Sequence, residues 1–253
     1  MSLQLTDAIT DGSRRVLTPT GGILFALLFA QQVIIVTSLN TVFAAEVPSS
    51  VNIGLTLPLS GTVAGAVFIG AGVFNAVYFV ILARGFAQPL SNLSSFPREL
   101  YTRRIIPASL TMFISGIIVS ILTLVGFAFL FFPGLFLATC FFFVIFTVGV
   151  EDQGVIQSLK RSWTLSRGHR IPLGVFVFAV GIGGNLIGLV PALFQLAGEA
   201  VLGDFATVFM NSVLFIFVYS IMASVYRQLV EDDSSSGGTN TTSTAGSGTV
   251  PEF

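Results

Sequence analysis

Few side chains in this 253-residue chain have the chemistry of a catalytic or ligand-holding group. Its single histidine, His169, lies between Arg167 and Arg170, and its single cysteine, Cys140, lies inside an apolar run. A histidine or cysteine metal centre needs several such ligands at fixed spacing, so none is expected. Glu151 and Asp152 are adjacent, and neighbours on a helix do not face one another, which argues against a paired-carboxylate site. Serine and threonine are plentiful, but no nucleophile-and-base pattern accompanies them. The expectation is therefore a non-enzyme with no catalytic, cofactor-binding or metal-binding residues.

The composition explains why. Charged residues make up 9% and apolar ones 53%, with 26 phenylalanines and a mean hydropathy of +0.91; a soluble domain carries about 25% charged residues. The eleven basic residues fall in four stretches: Arg14 and Arg15; Arg84, Arg98, Arg103 and Arg104; Lys160, Arg161, Arg167 and Arg170; and Arg227. The alternate connections hold only acidic charge, Glu46 in one and Glu199 with Asp204 in another. Such a bias marks a multi-pass membrane protein with basic loops in the cytoplasm. No basic stripe exists apart from these loops, so nucleic acid is not an expected partner.

A membrane-spanning helix needs about 20 apolar residues. Candidate spans run over 22–45, 59–83, two within the uncharged stretch 105–150, 171–197 and 205–229. Phe132-Pro133-Gly134 predicts the turn that divides the long stretch, because proline and glycine interrupt the helical ladder. The fold class is then all-α, a polytopic bundle of six transmembrane helices. Its parts are a cytoplasmic N-terminal segment (1–21), the membrane domain (22–230) and a disordered Ser/Gly/Thr-rich cytoplasmic tail (231–253). Both termini are expected in the cytoplasm, at the plasma membrane.

Two segments have the outline of processing signals. Ser13-Arg14-Arg15-Val16-Leu17 loosely resembles a twin-arginine export signal, and Val42-Phe43-Ala44 a cleavage site, but the apolar run between them is too long for a signal peptide. Asn240-Thr241-Thr242 matches a glycosylation sequon, on the side where it would not be modified.

The loop after the fourth span is patterned. Val155, Ile156, Leu159 and Trp163 recur at helical spacing, with Lys160, Arg161 and Arg167 off that face, and Asp152 is placed to cap the first turn. This predicts an interfacial amphipathic helix between spans four and five, along the inner leaflet. Lys160, Arg161, Trp163, Arg167 and Arg170, with Arg103 and Arg104 from the similarly built loop before span three, are the candidate lipid-binding residues, for lipids that could be anionic. Arg14, Arg15, Arg84 and Arg227 read as plain topology markers. Both loops end in a basic residue, isoleucine and proline (Arg104-Ile105-Ile106-Pro107 and Arg170-Ile171-Pro172), a weak two-fold repeat.

Pro133-Gly134-Leu135-Phe136-Leu137, Val150-Glu151-Asp152 and Ser158 through Arg170, with Phe96 to Arg104 before span three, carry a resemblance. They resemble a group of six-helix membrane proteins with many haloarchaeal members, similar to the membrane domain attached to some glycerophosphodiester phosphodiesterases. The resemblance implies the six-helix architecture and no activity. The soluble phosphodiesterase domain has no counterpart in this sequence, so that activity is not implied.

Inside the spans no ionisable residue is expected, only amides: Gln31, Gln32, Asn40, Asn75, Asn185, Gln195 and Asn211. Gly61/Gly65 and Gly184/Gly188 are small-residue pairs that permit close helix packing, within the chain or in a homo-oligomer. Span five gathers Gly183, Gly184, Asn185 and Pro191, and Pro191 cannot donate to the carbonyl of Ile187. An interrupted helix of that kind can line a substrate path. The leading expectation is a non-catalytic membrane protein acting through inner-leaflet lipid contact, membrane organisation or assembly with other membrane proteins. The alternative is a permease or flippase for a small uncharged or amphipathic solute.

Overall fold

The computed structural model describes residues 5–47, 53–94 and 96–238. Among the described residues the chain is helical, with no strand. The helices are α1 (Leu5–Val16), α2 (Pro19–Ala44), α3 (Gly61–Ala87), α4 (Glu99–Thr102), α5 (Ile105–Phe129), α6 (Phe131–Cys140), α7 (Val144–Gly149), α8 (Val155–Ser166), α9 (Arg170–Ile187), α10 (Val190–Leu196) and α11 (Ala200–Gly238). Six segments are long and apolar enough to cross a membrane: Pro19–Ala44, Gly61–Ala87, Ile105–Phe129, Phe131–Gly149, Arg170–Leu196 and Ala200–Asp233. The architecture is that of a multi-pass membrane protein.

Local chemistry sets the ends of the first two spans. Thr18 caps α2 by accepting from the Gly21 N–H at 3.1 Å, and Pro19 opens the helix where its missing N–H has no intrahelical role. Ser60 caps α3 in the same way through the Val63 N–H. Gln31 donates to the Ala71 carbonyl at 2.6 Å, so one intramembrane amide ties α2 to α3. The Gly61/Gly65 pair also serves this contact, facing Ala45 and Val42 of α2.

Several expectations change. The turn between spans three and four is Leu130 alone, in extended conformation (φ −163°, ψ 150°), and Pro133 sits in the first turn of α6. A proline within the first helical turn removes no bond, because those N–H groups lack partners anyway. The Gly is used for packing: a Cβ on Gly126 would meet the Gly134 Cα at 2.8 Å, so α5 and α6 cross at these two residues. Span four, expected to be continuous, is interrupted at 141–143 between α6 and α7. Span five is also interrupted, at Gly188–Leu189. The last helix reaches Gly238, past the boundary expected at 231, and the sequon at Asn240 lies outside the described residues. The N-terminal segment holds a helix of its own, packed on α11 closely enough that a Cβ on Gly12 would meet Ile221 at 2.8 Å.

The core sits toward the end of the bundle where the arginines are. Tyr78, Leu82 and Phe86 of α3, Phe143 and Phe146 around α7, and Ile216, Met222 and Tyr226 of α11 form one buried cluster with Leu24 of α2. Span six is the most enclosed and span five the least, with 56% and 11% of their apolar windows buried. Ile171, Leu186, Leu193 and Leu196 of span five are exposed, a surface suited to hydrocarbon.

Candidate functional site

Two arginines expected as topology markers are buried anchors. Arg84, inside α3 and 8% exposed, donates from Nε to the Gly149 carbonyl at 2.8 Å and from Nη1 to those of Leu100 and Arg103 at 3.3 and 2.5 Å. Its Nη2 meets Asp152 Oδ1 at 2.9 Å. One guanidinium thus joins α3, the α4 segment and the end of α7. Arg15, 1% exposed, pairs with Asp11 at 2.7 Å and donates to the carbonyls of Phe86 and Gln88 at 2.8 and 2.6 Å. By the helix bounds Arg84 lies in the last turn of span two, Arg170 opens span five, and Asp204, Arg227 and 231–233 lie toward the two ends of span six, so the ionisable groups of the spans are near their ends. Saturated hydrogen bonding is what makes a buried guanidinium tolerable.

Glu151 and Asp152 face different partners, in keeping with their adjacency. Asp152 does not cap α8: Gly154 stands at the cap, without a side-chain bond. Asp152 has a positive φ of 52°, a region asparagine and aspartate enter more readily than most residues, and it bridges Arg84 and Arg103. Glu151 accepts from the Tyr226 hydroxyl and Gln153, both at 2.6 Å, and lies 3.5 Å from Arg161. Arg161 also meets Asp233 at 2.7 Å. Burial would lower the Arg161 pKa, but hydrogen bonds and attraction from Asp233 and Glu151 prevail and raise it.

The predicted helix at 155–166 exists, but it is anchored by its serines. Ser158, Ser162, Leu165 and Ser166 are buried, whereas Ile156 of the expected apolar face is 68% exposed. Ser162 Oγ donates to the Cys140 carbonyl at 2.9 Å and accepts from the Phe143 N–H at 3.1 Å. Ser166 reaches the same carbonyl at 3.4 Å, and Thr147 donates to the Ser158 carbonyl at 3.3 Å. The Cys140 carbonyl and the Phe143 N–H are backbone groups at the break in span four. Each, left unpaired in an apolar setting, would cost about 1–3 kcal/mol.

The candidate lipid-binding residues divide accordingly. Arg104, Lys160 and Arg167 are exposed and in no ion pair among the described residues, as are Arg14 and Arg98. Arg103 is exposed but paired with Asp152, and Arg161 is committed to Glu151 and Asp233. Trp163 packs edge-on against Phe136 at 5.7 Å between ring centroids and lies 6.0 Å from Phe141. The Arg170 guanidinium stands over the Trp163 and Phe136 rings at 4.7 and 5.0 Å.

The candidates of span five converge on nothing. Asn185 is exposed and donates to the Gly181 carbonyl of its own helix at 2.8 Å, a Cβ on Gly184 would meet nothing within 4 Å, and one on Gly183 would meet only Leu214. Pro191 sits where α10 approaches Gly203 of α11. The notable cavity is elsewhere: about 470 Å³ between the middles of α3 and α5 and the span-four break, with Asn75, Ser120 and Tyr219 among its apolar lining. A second, of about 310 Å³, lies over Arg84, Glu99 and Arg103. At the opposite end of the bundle Asn40 and the Leu55 N–H both donate to Asp204 at 2.8 Å, which ties Leu55 to α2 and α11.

Sequence reasoning placed the arginines at one end but missed the burial of two of them, and missed the break in span four. The available signal was the serine period, 158, 162 and 166, on a helix otherwise read by its apolar residues. No curated protein and no solved structure matches the chain. The sequence model of the family described as domain of unknown function DUF7847 matches residues 3–229, and the chain belongs to that family.

Proposed function

We propose that this protein is a non-catalytic component of the plasma membrane that binds anionic lipid at its cytoplasmic face and contributes to membrane organisation or to assembly with other membrane proteins. One observation carries the reading. Of the cations at the basic end, Arg14, Arg98, Arg104, Lys160 and Arg167 are exposed and in no ion pair among the described residues, while the others meet internal partners or aromatic rings. The positive-inside bias puts that end, and both termini, in the cytoplasm, with α8 near the head groups. The Pro133–Leu137, Val150–Asp152 and Ser158–Arg170 motifs support kinship with the haloarchaeal six-helix proteins and the phosphodiesterase-linked membrane domain. The open face of Gly184 is a surface for a second copy or another membrane helix.

The test uses the full chain in neutral-lipid nanodiscs, titrated with phosphatidylglycerol or phosphatidylcholine and followed by thermal unfolding. Anionic lipid should stabilise, with an effect that declines as salt rises. Replacing Arg104, Lys160 and Arg167 with Gln should weaken the apparent affinity about tenfold or more, at about 1 kcal/mol per cation. Equal stabilisation by both lipids removes the electrostatic reading.

A second reading, passage of a small uncharged or amphipathic solute, is favoured by the cavity beside Asn75 and Ser120. Filling it by Gly116→Leu should abolish flux in proteoliposomes. Flux that persists in this variant, or none in the parent across a panel of metabolites, counts against it.

A further inference from the structure

The geometry points to a specific binding groove for one anionic lipid between α6 and α9, with its head group on Arg170. The inference deepens the proposed lipid contact and rests on that reading. The groove has a volume of about 730 Å³ and is almost wholly apolar. The two helices run antiparallel along it: Thr139 lies at Gly174 and Phe131 at Phe178, whose ring centroids are 5.9 Å apart, while the long Arg170 side chain reaches along the groove to the Phe136 ring. Its one charged lining residue is Arg170, at the first position of α9, and the far end is walled by Phe131, Phe132 and Phe178. The shape is that of a hydrocarbon chain with a cation at one end.

The state of Arg170 supplies the charge argument. The two buried arginines, Arg15 and Arg84, each meet carbonyls and a carboxylate. Arg170 has ring faces beside it, but its Nε and Nη2 are buried with no acceptor. These two nitrogens form the edge of a guanidinium that binds two oxygens of one anion, and because protein covers them, binding there requires the Phe136 or Trp163 ring against the guanidinium to shift. A buried donor pair of this kind is costly unless an acceptor arrives, and a phosphodiester whose chain lies in the groove delivers one. A neutral zwitterionic lipid brings the same phosphate with a competing cation, so the groove should prefer a lipid of net negative charge. Lys160 and Arg167 on the exposed surface attract such lipids, but they do not line this groove.

Trp163, the only tryptophan, packs against Arg170 and Phe136, two of the residues that line the groove, and so serves as a reporter beside it. The full chain is placed in phosphatidylcholine nanodiscs, and phosphatidylglycerol or phosphatidylcholine with dibrominated chains is added at matched mole fraction. Bromine beside an indole quenches its fluorescence. Brominated phosphatidylglycerol should associate about fivefold more strongly than brominated phosphatidylcholine. Arg170→Gln should bring that ratio to about one, while Lys160→Gln with Arg167→Gln leaves it unchanged. Gly174→Leu fills the groove without touching Arg170, since a Cβ there sits at an ordinary 3.6 Å from Thr139 Oγ1; it should reduce quenching by both lipids. A ratio near one in the parent, a ratio retained in Arg170→Gln, or quenching unaltered by Gly174→Leu overturns the groove. If the ratio follows only the Lys160/Arg167 variant, surface lipid contact stands and the groove falls. A ratio that follows Arg170 while the surface triple variant leaves thermal stabilisation unchanged establishes the groove and discards the surface-wide reading.

Discussion

Arg84→Met should destabilise the protein by about 3–5 kcal/mol, the cost of breaking a buried, hydrogen-bonded ion pair from one side. The substitution keeps roughly the volume of the side chain but removes every donor. The carbonyls of Gly149, Leu100 and Arg103 lose their partner, and Asp152, itself 12% exposed, keeps only the solvent-facing Arg103. Arg84→Lys should rescue little, because one ammonium cannot reach acceptors spread around a planar fork. Pairing Arg84→Met with Asp152→Asn should recover part of the loss, since no uncompensated carboxylate then remains and asparagine tolerates the positive φ at this position. Unfolding of the detergent-solubilised chain, arranged as a double-mutant cycle, measures the coupling. Lys160→Gln, on an exposed and unpaired cation, should stay within about 0.5 kcal/mol of the parent. A similarly small change for Arg84→Met refutes the anchoring role.

Arg15→Leu should act locally, releasing α1 from the bundle rather than unfolding the whole. Arg15 is the bond between α1 and the end of α3, through the Phe86 and Gln88 carbonyls. On its other side Asp11 accepts from Arg15 and, at 2.5 Å, from Ser224 of α11, while Ser220 donates to the Gly12 carbonyl at 2.7 Å. Hydrogen exchange should show protection of residues 5–16 falling by about tenfold or more, for a loss of at least about 1.4 kcal/mol, with spans α2 and α3 unaffected. Exchange in α1 that matches the parent rejects the tether.

The same cluster fixes a pH dependence. Burial would raise the Asp11 pKa, but the hydrogen bonds from Arg15 and Ser224 and the nearby positive charges together lower it below 3.8. A carboxylate with a depressed folded-state pKa contributes its full stabilisation above the unfolded value and loses it as pH falls through the folded one. Docking of α1 should thus be constant at neutral pH and weaken only below about pH 4. In Arg15→Leu the raising effect of burial loses its main opponent, so the weakening should begin at higher pH.

The legible part of the fold was what depends on composition over about 20 consecutive residues. Spans one, two, five and six were placed to within about five residues at both ends, span five most closely at Arg170–Leu196, because apolar length is a local property. The division of the long stretch 105–150 was read correctly, although its turn falls at Leu130 and not at Pro133-Gly134. Proline signals a helix boundary equally well from just inside the next helix, and only the chain's path separates the cases. The groove candidates were partly legible: Trp163 and Arg170 stood out as the lone indole and a juxtamembrane cation. The residues of span five drew attention by type, yet Asn185 is satisfied within its own helix.

The sequence by itself determined the class, the number of spans and the gathering of the basic residues at one end, since each follows from where apolar and charged residues fall along the chain. Only the tertiary structure decided which cations are anchors and which are available. Arg14 and Arg15 are adjacent, and Arg103 and Arg104 likewise, yet one of each pair is engaged and the other exposed. That difference depends on carbonyls and carboxylates distant in sequence, such as Gly149 against Arg84 and Phe86 against Arg15. The same holds for Arg170, whose missing acceptors become apparent only when α6, α8 and α9 are brought together around it.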